Sequence, residues 1–407
     1  MTAFIQSRRS LLTTTGGAIG LASVGALGAL TPAAKALAET KDKSAPTLPG
    51  YASWKDLDSM IIHSANTIET KRSAFGSGII TPLDRLFVRN NISPPSEDIV
   101  ADPDSWEIQI EGVKDPVTLT VADLKKIGVE TVAMVLQCSG NGRAWFPEKP
   151  SGTQWTVGAA GCITFTGVPV KALLEHVGGM DSGAKYMTGT GGEPIPEGLD
   201  ADTIQVERSV PLEAIEHSLL AWDINGQPLP LAHGGPLRMV VPGYTGVNNV
   251  KYIKRLAFTE DQSTANIQRS SYRMAPVGEK GSPEFQSVWT MPVKSWVTYP
   301  GEPDQKLKAG LTQIQGLAMG GTSDVTEVEV SIDGGKNWKK AQFVGPDLGP
   351  FAWRQFVFPV ELKAGDYTIA SRATNKAGEE QPKDRVSNNR GYLNNSWEDH
   401  ALAITVS

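Results

Sequence analysis

Cys138 stands at the end of an apolar run and five residues before an arginine, in the stretch Leu136-Gln137-Cys138-Ser139-Gly140-Asn141-Gly142-Arg143. The thiolate is the nucleophilic and metal-binding form of cysteine, and a fixed cation beside it favours that form. Soft thiolates select soft metal centres. A structural cysteine carries the same signature, since free cysteine is among the most buried residue types. The octapeptide alone leaves both readings open.

Two further stretches combine cations with amides and glycines. Leu86-Phe87-Val88-Arg89-Asn90-Asn91 ends a short strand-like run in an arginine and two amides, which together can donate several hydrogen bonds to an anion. A surface turn has the same composition. Residues 231–252 join His233, Arg238 and Lys251 to Gly-rich turns and one buried strand. Glycines let backbone N–H groups approach a ligand, and the cations can hold a phosphate or another anion. The spacing fits neither the Walker nor the dinucleotide-binding fingerprint. A histidine satisfied inside a core fits it equally well.

The elements that must position these residues are legible. The run Val132-Ala133-Met134-Val135-Leu136 predicts a buried strand, and the Ser/Gly/Asn turn after it opens the thiol to a cavity. Residues 106–112 alternate as a strand, and 121–126 predict a short helix. Residues 158–170, which hold Cys162, lead into a helix over 171–177. The acidic, proline-containing stretch 193–202 predicts a loop, and 210–215 opens another helix. Residues 219–224 form a strand with Asn225-Gly226 as its hairpin turn. Near residue 265 the texture changes to short strands with turn residues between them. Val328, Val330 and Ile332 alternate with polar neighbours, and Asp333-Gly334-Gly335 turns a hairpin. This second part predicts an immunoglobulin-like sandwich.

A chain of 407 residues with 40% hydrophobic and 20% charged residues has enough apolar surface for two cored domains. The net charge of -6 gives no sign of nucleic-acid binding. Residues 1–38 hold Arg8, Arg9 and Lys35 and no acid. Ser7-Arg8-Arg9-Ser10-Leu11-Leu12 is a twin-arginine pattern, followed by a weakly apolar Gly/Ala-rich stretch and the small-x-small site Ala36-Leu37-Ala38. The apolar stretch is too short and too Gly-rich for a membrane anchor. Twin-arginine export carries folded proteins, which suits a cofactor inserted before export and predicts a periplasmic location. The two cysteines, Cys138 and Cys162, form no CxxC or CxxCH motif, which excludes c-type haem and Cys-based zinc or iron–sulfur sites. A disulfide between them would remove the thiol that the motif presents.

Taken in order, these stretches resemble the sulfite oxidase family of molybdenum enzymes. The resemblance runs through Phe87-Val88-Arg89-Asn90, the Cys138 turn, Gly198-Leu199-Asp200, His233 to Arg238, Val241-Pro242-Gly243, Asn249-Val250-Lys251, Asp333-Gly334-Gly335 and Arg390-Gly391-Tyr392-Leu393-Asn394-Asn395. It implies an α+β fold: a mixed α/β molybdopterin-binding domain over 39–265 after the signal segment, then an immunoglobulin-like dimerisation domain over 266–407. It implies one molybdenum-pyranopterin cofactor, with Cys138 as the metal's protein ligand. Phe87, Val88, Arg89, Asn90, Asn91, Asp200, His233, Arg238, Asn249, Val250 and Lys251 would contact the cofactor. Arg89, Arg143 and Arg390 match the family's substrate-binding arginines and Tyr272 its tyrosine. Sulfite is a small dianion, so forked guanidinium donors suit it, and Tyr272 would assist proton transfer. The sequence departs from the family pattern at Asn91, Gly142, Phe165, Asn248 and Asn249.

The resemblance thus implies a periplasmic sulfite dehydrogenase, a homodimer without haem, delivering electrons to an acceptor such as a c-type cytochrome. A related molybdenum enzyme acting on a carrier-bound sulfur group, nitrate or a sulfoxide is the alternative. A cofactor-free binding module would leave Cys138 in a core, and cysteine-nucleophile hydrolysis would need a histidine brought near it by the fold.

Overall fold

The computed structural model describes residues 47–76, 78–302 and 305–407. The twin-arginine pattern and its cleavage site lie outside them. Strands β1 (Met60–Ser64), β2 (Thr67–Thr70) and β3 (Val88–Arg89) form a small antiparallel sheet. There follow β4 (Glu107–Glu111), β5 (Val117–Thr120), β6 (Glu130–Gln137), β7 (Ala160–Pro169), β8 (Tyr186–Gly191), β9 (Glu207–Pro211), β10 (Leu219–Ile224), β11 (Gln227–Pro228), β12 (Arg238–Val240) and β13 (Ile253–Thr259). They build two sheets. One has the order β11-β10-β7-β6 with β12 on β10, the other β5-β4-β13-β8-β9, in which β13 and β4 run parallel.

Short helices link these strands, each for a local reason. Helix α1 (Val121–Ile127) starts at a capping box in which Thr120 and Asp123 exchange side-chain and backbone bonds, a device worth about 1 kcal/mol. Helix α2 (Val170–His176) follows Pro169 and buries Val170, Leu173 and Leu174. Asn225 and Gly226 both take positive φ, +50° and +75°, and turn the hairpin into β11, as a tight two-residue loop requires. The loop after β8 holds the one-turn helix α3 (Ala201–Ile204). The helix expected from residue 210 is a 3-10 helix over Leu212–His217.

Strand β6 carries Cys138 just past its end. Its C-terminal half is buried, but it is the last strand of its sheet. Phe351, from beyond residue 265, covers the free side: its carbonyl accepts from Val135 N at 2.7 Å. The ladder to β7 pairs Val135 with Cys162 and Gln137 with Ala160, and Cys138 N extends it to Ala159 O at 2.9 Å.

The second part has β14 (Lys294–Tyr299), β15 (Lys306–Leu307), β16 (Gly310–Met319), β17 (Val325–Ser331), β18 (Lys339–Lys340), β19 (Gln342–Val344), β20 (Arg354–Leu362), β21 (Gly365–Asn375) and β22 (Leu402–Val406). They form two sheets, β14-β16-β20-β19 and β15-β22-β21-β17-β18. One apolar core joins Val297, Ile314 and Phe356 of the first to Val328, Val330, Ile369 and Ile404 of the second. That is the expected sandwich, with alternating residues of each strand turned inward. Between the sandwich and β13, residues 265–293 carry no strand; Ile267, Tyr272 and Val288 pack into the first part's core.

Candidate active site

One cavity gathers most of the chemistry-bearing residues. It encloses about 680 Å³ of space free of atoms, part of it open to solvent, and is lined by Phe87, Arg89, Asn90, Asn91, Cys138, Ser139, Glu193, His233, Arg238, Asn249, Val250, Lys251 and Tyr272, among others. Both cysteines are free, so no disulfide consumes the Cys138 thiol. Burial pushes the Cys162 thiol up to about 12, which leaves it inert inside the core.

Each wall of the cavity is fixed by its own bonds. Val88, wholly buried in β3, does not line it; it alternates with Phe87 and Arg89 and so turns those two towards the cavity. Both terminal nitrogens of Arg89 donate to Asn91 Oδ1 at 3.3 Å. Lys251 Nζ donates to Asn90 Oδ1 and Ala232 O, each at 2.6 Å. Arg238 donates to Asn249 O at 3.0 Å and His233 O at 2.9 Å, and its guanidinium lies 5.7 Å from the centre of the wholly buried Phe165 ring. Asn249 accepts from Val241 N and donates to Tyr244 O and Thr245 O, so its side chain shapes a turn rather than standing free for a ligand.

His233 is held from behind. Lys55 Nζ donates to Leu83 O at 2.5 Å and Leu86 O at 2.7 Å, and lies 3.0 Å from His233 Nε2. A lysine ammonium has three donors and no acceptor. Burial pushes Lys55 down to about 7; in its ammonium form the third proton goes to Nε2 and the imidazole proton lies on Nδ1. Burial, then the charge of Lys55, holds His233 well below its ordinary range, so it is neutral. Sequence reasoning missed Lys55, which sits in a short polar run without a motif.

The acidic wall residue is another correction. Asp200, the expected cofactor contact, is exposed; it caps α3, accepting from Asp202 N at 3.3 Å and Thr203 Oγ1 at 2.8 Å. Glu193, just after β8, reaches the cavity instead, and its Oε2 is buried without a hydrogen-bond partner. Burial raises its carboxyl to about 7, with Lys251 and Arg89 pulling the other way. A matching tripeptide drew attention to Asp200; only the geometry of the strand end singles out Glu193.

Two of the four substrate-contact candidates are not on the cavity wall. Arg143 is buried, but its guanidinium donates to Arg390 O at 2.7 Å and Thr153 O at 2.8 Å. It is wedged between Gly140 and Gly152, where any Cβ would come within 3.0 Å of its nitrogens. That packing explains Gly140 of the Cys138 turn: Arg143 locks the turn. Arg390 is exposed, and its Nη1 donates to Ser151 Oγ at 2.7 Å. Arg89 and Tyr272 do line the cavity.

The donor set suits an anionic, hydrogen-bonding cofactor with one thiolate bond to its metal. Lys251 is held well below its ordinary range, by burial first and by Arg238 next. Arg89, Arg238 and Lys251 share the wall with one carboxylate, so the site is short of negative charge, as a phosphate-bearing ligand requires. Ser139 Oγ, also on the wall, is a second buried polar atom without a partner. Among the described residues no three His, Cys, Asp or Glu side chains converge, so a metal here rests on the lone thiol and on ligands the cofactor brings.

Comparison with known proteins agrees. The oxidoreductase molybdopterin binding domain matches residues 95–267 and the Mo-co oxidoreductase dimerisation domain residues 285–406. The chain is 29% identical to human mitochondrial sulfite oxidase over 400 residues, 90% of this chain and 70% of that one. It is 30% identical to the sulfite oxidase of Gallus gallus over 341 residues, 78% of this chain and 72% of that one. The chain belongs to the sulfite oxidase family. Its fold matches that of the sulfane dehydrogenase SoxCD from Paracoccus pantotrophus with a TM-score of 0.68 and 26% identity, covering 91% of this chain and 95% of that one. Within this family it is a molybdenum oxidoreductase with a molybdopterin-binding domain and a β-rich dimerisation domain.

Proposed function

We propose that the protein is a sulfite dehydrogenase with one molybdenum-pyranopterin cofactor per chain and no haem, exported to the periplasm as a homodimer. The single observation that carries this reading is the cavity that joins the Cys138 thiol, the Arg89 guanidinium and the Tyr272 hydroxyl to a wall of phosphate-type donors. Cys138 would hold the metal, while His233, Arg238, Lys251 and the amides around them hold the anionic part of the cofactor. When bound, the molybdenum centre supplies the two-electron oxidation in which sulfur gains one oxygen from water. Arg89 binds the sulfite oxygens through its two outer nitrogens. Tyr272 is placed to donate to or relay a proton from the anion. Two electrons leave for an external acceptor, for which a c-type cytochrome is the natural chemical class. The twin-arginine pattern at Arg8-Arg9 supports export. Among the described residues no helix is long and apolar enough to cross a membrane.

Metal analysis and stopped-flow spectroscopy of the purified protein test the reading. About one molybdenum per chain and an optical change on adding sulfite are expected. Molybdenum without a sulfite response would move the substrate to a carrier-bound sulfur group. The wall position of only one of the three candidate arginines, together with the SoxCD likeness, favours that second reading over nitrate or a sulfoxide.

A further inference from the structure

We propose that Tyr392 is a positioning residue for Tyr272, through which the C-terminal part of the chain sets where the Tyr272 hydroxyl stands in the cavity. The proposal rests on the reading of that cavity as the substrate site. Tyr272 follows a single π-helical turn, Ile267–Ser271, and its backbone is not held in a regular strand or helix. Something other than secondary structure must fix its ring. Tyr392 does so at two points. The two rings stack with centroids 5.0 Å apart and planes inclined by 15°. The Tyr392 hydroxyl also donates to Ser271 O at 2.8 Å, the carbonyl immediately before Tyr272. One contact holds the ring and the other the peptide that carries it. Stacked aromatic pairs are worth about 0.5–1.5 kcal/mol beyond their burial, enough to select one side-chain rotamer over its alternatives.

Tyr392 is itself braced. Asn388 Oδ1 accepts from Tyr392 N at 2.9 Å, and Asn388 Nδ2 donates to Tyr392 O at 2.9 Å. The Arg143 guanidinium lies 5.5 Å from the centre of its ring, and Arg208 lies 5.6 Å from that of Tyr272. The next two residues grip the metal-ligand turn: Leu393 N donates to Ser139 O and Asn394 Nδ2 to Gly142 O, both at 2.9 Å. Leu393 takes φ of +57° to make this possible, a strained backbone held only where the surroundings demand it. The same short segment therefore registers the Tyr272 ring against the Cys138 turn. Tyr392 does not line the cavity, so it acts through Tyr272 and not on the substrate.

The test is a double-mutant cycle on molybdenum-loaded full-length protein, comparing wild type, Y392L, Y272F and Y392L/Y272F for kcat and KM with sulfite and for metal content. A misplacement of about 1 Å costs on the order of 100-fold, so Y392L is expected to lower kcat/KM about 10- to 100-fold at unchanged molybdenum content. In the Y272F background the same change is expected to cost less than about 2-fold, because groups acting through one another are not additive. Full additivity, or a Y392L enzyme within about 2-fold of wild type, overturns the proposal. Should Y392L fail to fold, Y392F enters the same cycle: it keeps the ring, loses the bond to Ser271 O, and is expected to lose a few-fold activity only where Tyr272 is present. Should wild type not oxidise sulfite, the substrate reading falls by itself. Crystal structures then decide: a Tyr272 ring displaced in the Tyr392 variant sustains the positioning role, and an unmoved ring refutes it.

Discussion

Replacing Lys294 by methionine should stabilise the protein, and more so at neutral than at alkaline pH. Lys294 opens β14 and is wholly buried; among the described residues its ammonium makes one hydrogen bond, a long one of 3.5 Å to Asn141 O. Burial first, and the nearby charge of Arg72 second, push it down from 10.5 to about 7, with Asp399 pulling partly back. A lysine with a depressed folded-state value binds its proton less tightly than in the unfolded chain. Its cost is therefore fully present below about pH 7 and fades as pH rises towards 10.5. At about 1.36 kcal/mol per unit, that gap sets a ceiling of roughly 4 kcal/mol at pH 7 and about half of it at pH 9. Methionine fills nearly the same volume without the charge, and such replacements of buried charges commonly gain about 1–4 kcal/mol. Thermal or denaturant melts of wild type and K294M at pH 7 and pH 9 check this. A gain of about 2–4 kcal/mol at pH 7 that shrinks by half at pH 9 is expected. A variant less stable than wild type at pH 7, or a gain unchanged between the two pH values, would refute the reasoning.

Other outcomes follow from the same geometry. Arg89→Gln loses a charged donor worth about 1.5–3 kcal/mol and should raise KM for sulfite about 10- to 100-fold at full molybdenum content, measured by steady-state kinetics. Glu193→Gln removes a carboxylate from the wall that faces the anionic ligand and should strengthen cofactor retention, read as molybdenum per chain after dialysis, whereas Asp200→Ala should leave it at the wild-type level, since Asp200 does not line the cavity. In cofactor-free protein a thiol reagent should modify Cys138, which opens to the cavity, and should reach Cys162 only after denaturation, with mass spectrometry identifying the site. Arg208→Met should destabilise by a few kcal/mol, because it leaves the buried acceptors Asn248 Oδ1 and Ile267 O without their donor, at about 1–3 kcal/mol for each unpaired group.

Much of this was open to sequence reading because periodicity and turn chemistry are local. The apolar run before Cys138, the Asn225-Gly226 hairpin and the alternation of Val328 and Val330 each report their own backbone. Eleven of the expected contact residues that line the cavity sit on segments whose glycines, amides and cations are adjacent in sequence, as in Phe87–Asn91 and Asn249–Lys251. What the sequence does not show depends on distant partners. Arg143 and Arg390 read alike as substrate arginines, but nothing local tells that Arg143 spends its donors on carbonyls of residues 153 and 390. Asp200 was chosen by a matching tripeptide, yet the loop after β8 turns Glu193 inward first. Lys55 and Tyr392 gain meaning only through His233 and Tyr272, respectively 178 and 120 residues away in sequence. The rim of β6 was likewise invisible, since its covering group is a backbone carbonyl of Phe351.

These long-range bonds share a direction. The Cys138 turn is held by Leu393 N on Ser139 O, Asn394 Nδ2 on Gly142 O, Arg390 O on Arg143 Nε, Lys294 Nζ on Asn141 O and Phe351 O on Val135 N. All five partners come from the part of the chain that the dimerisation domain matches. At about 1 kcal/mol net each, the four bonds other than that of Lys294 contribute roughly 4 kcal/mol, a large share of a domain's stability. They add to the turn's own bonds, such as Asn141 N to Cys138 O and Arg143 Nη1 to Thr153 O. Lys294, whose burial costs stability, places its ammonium against the Asn141 carbonyl of the Cys138 turn. On this argument the part matched by the dimerisation domain also helps to frame the cavity, because its bonds reach the Cys138 turn across the boundary between the two matched domains.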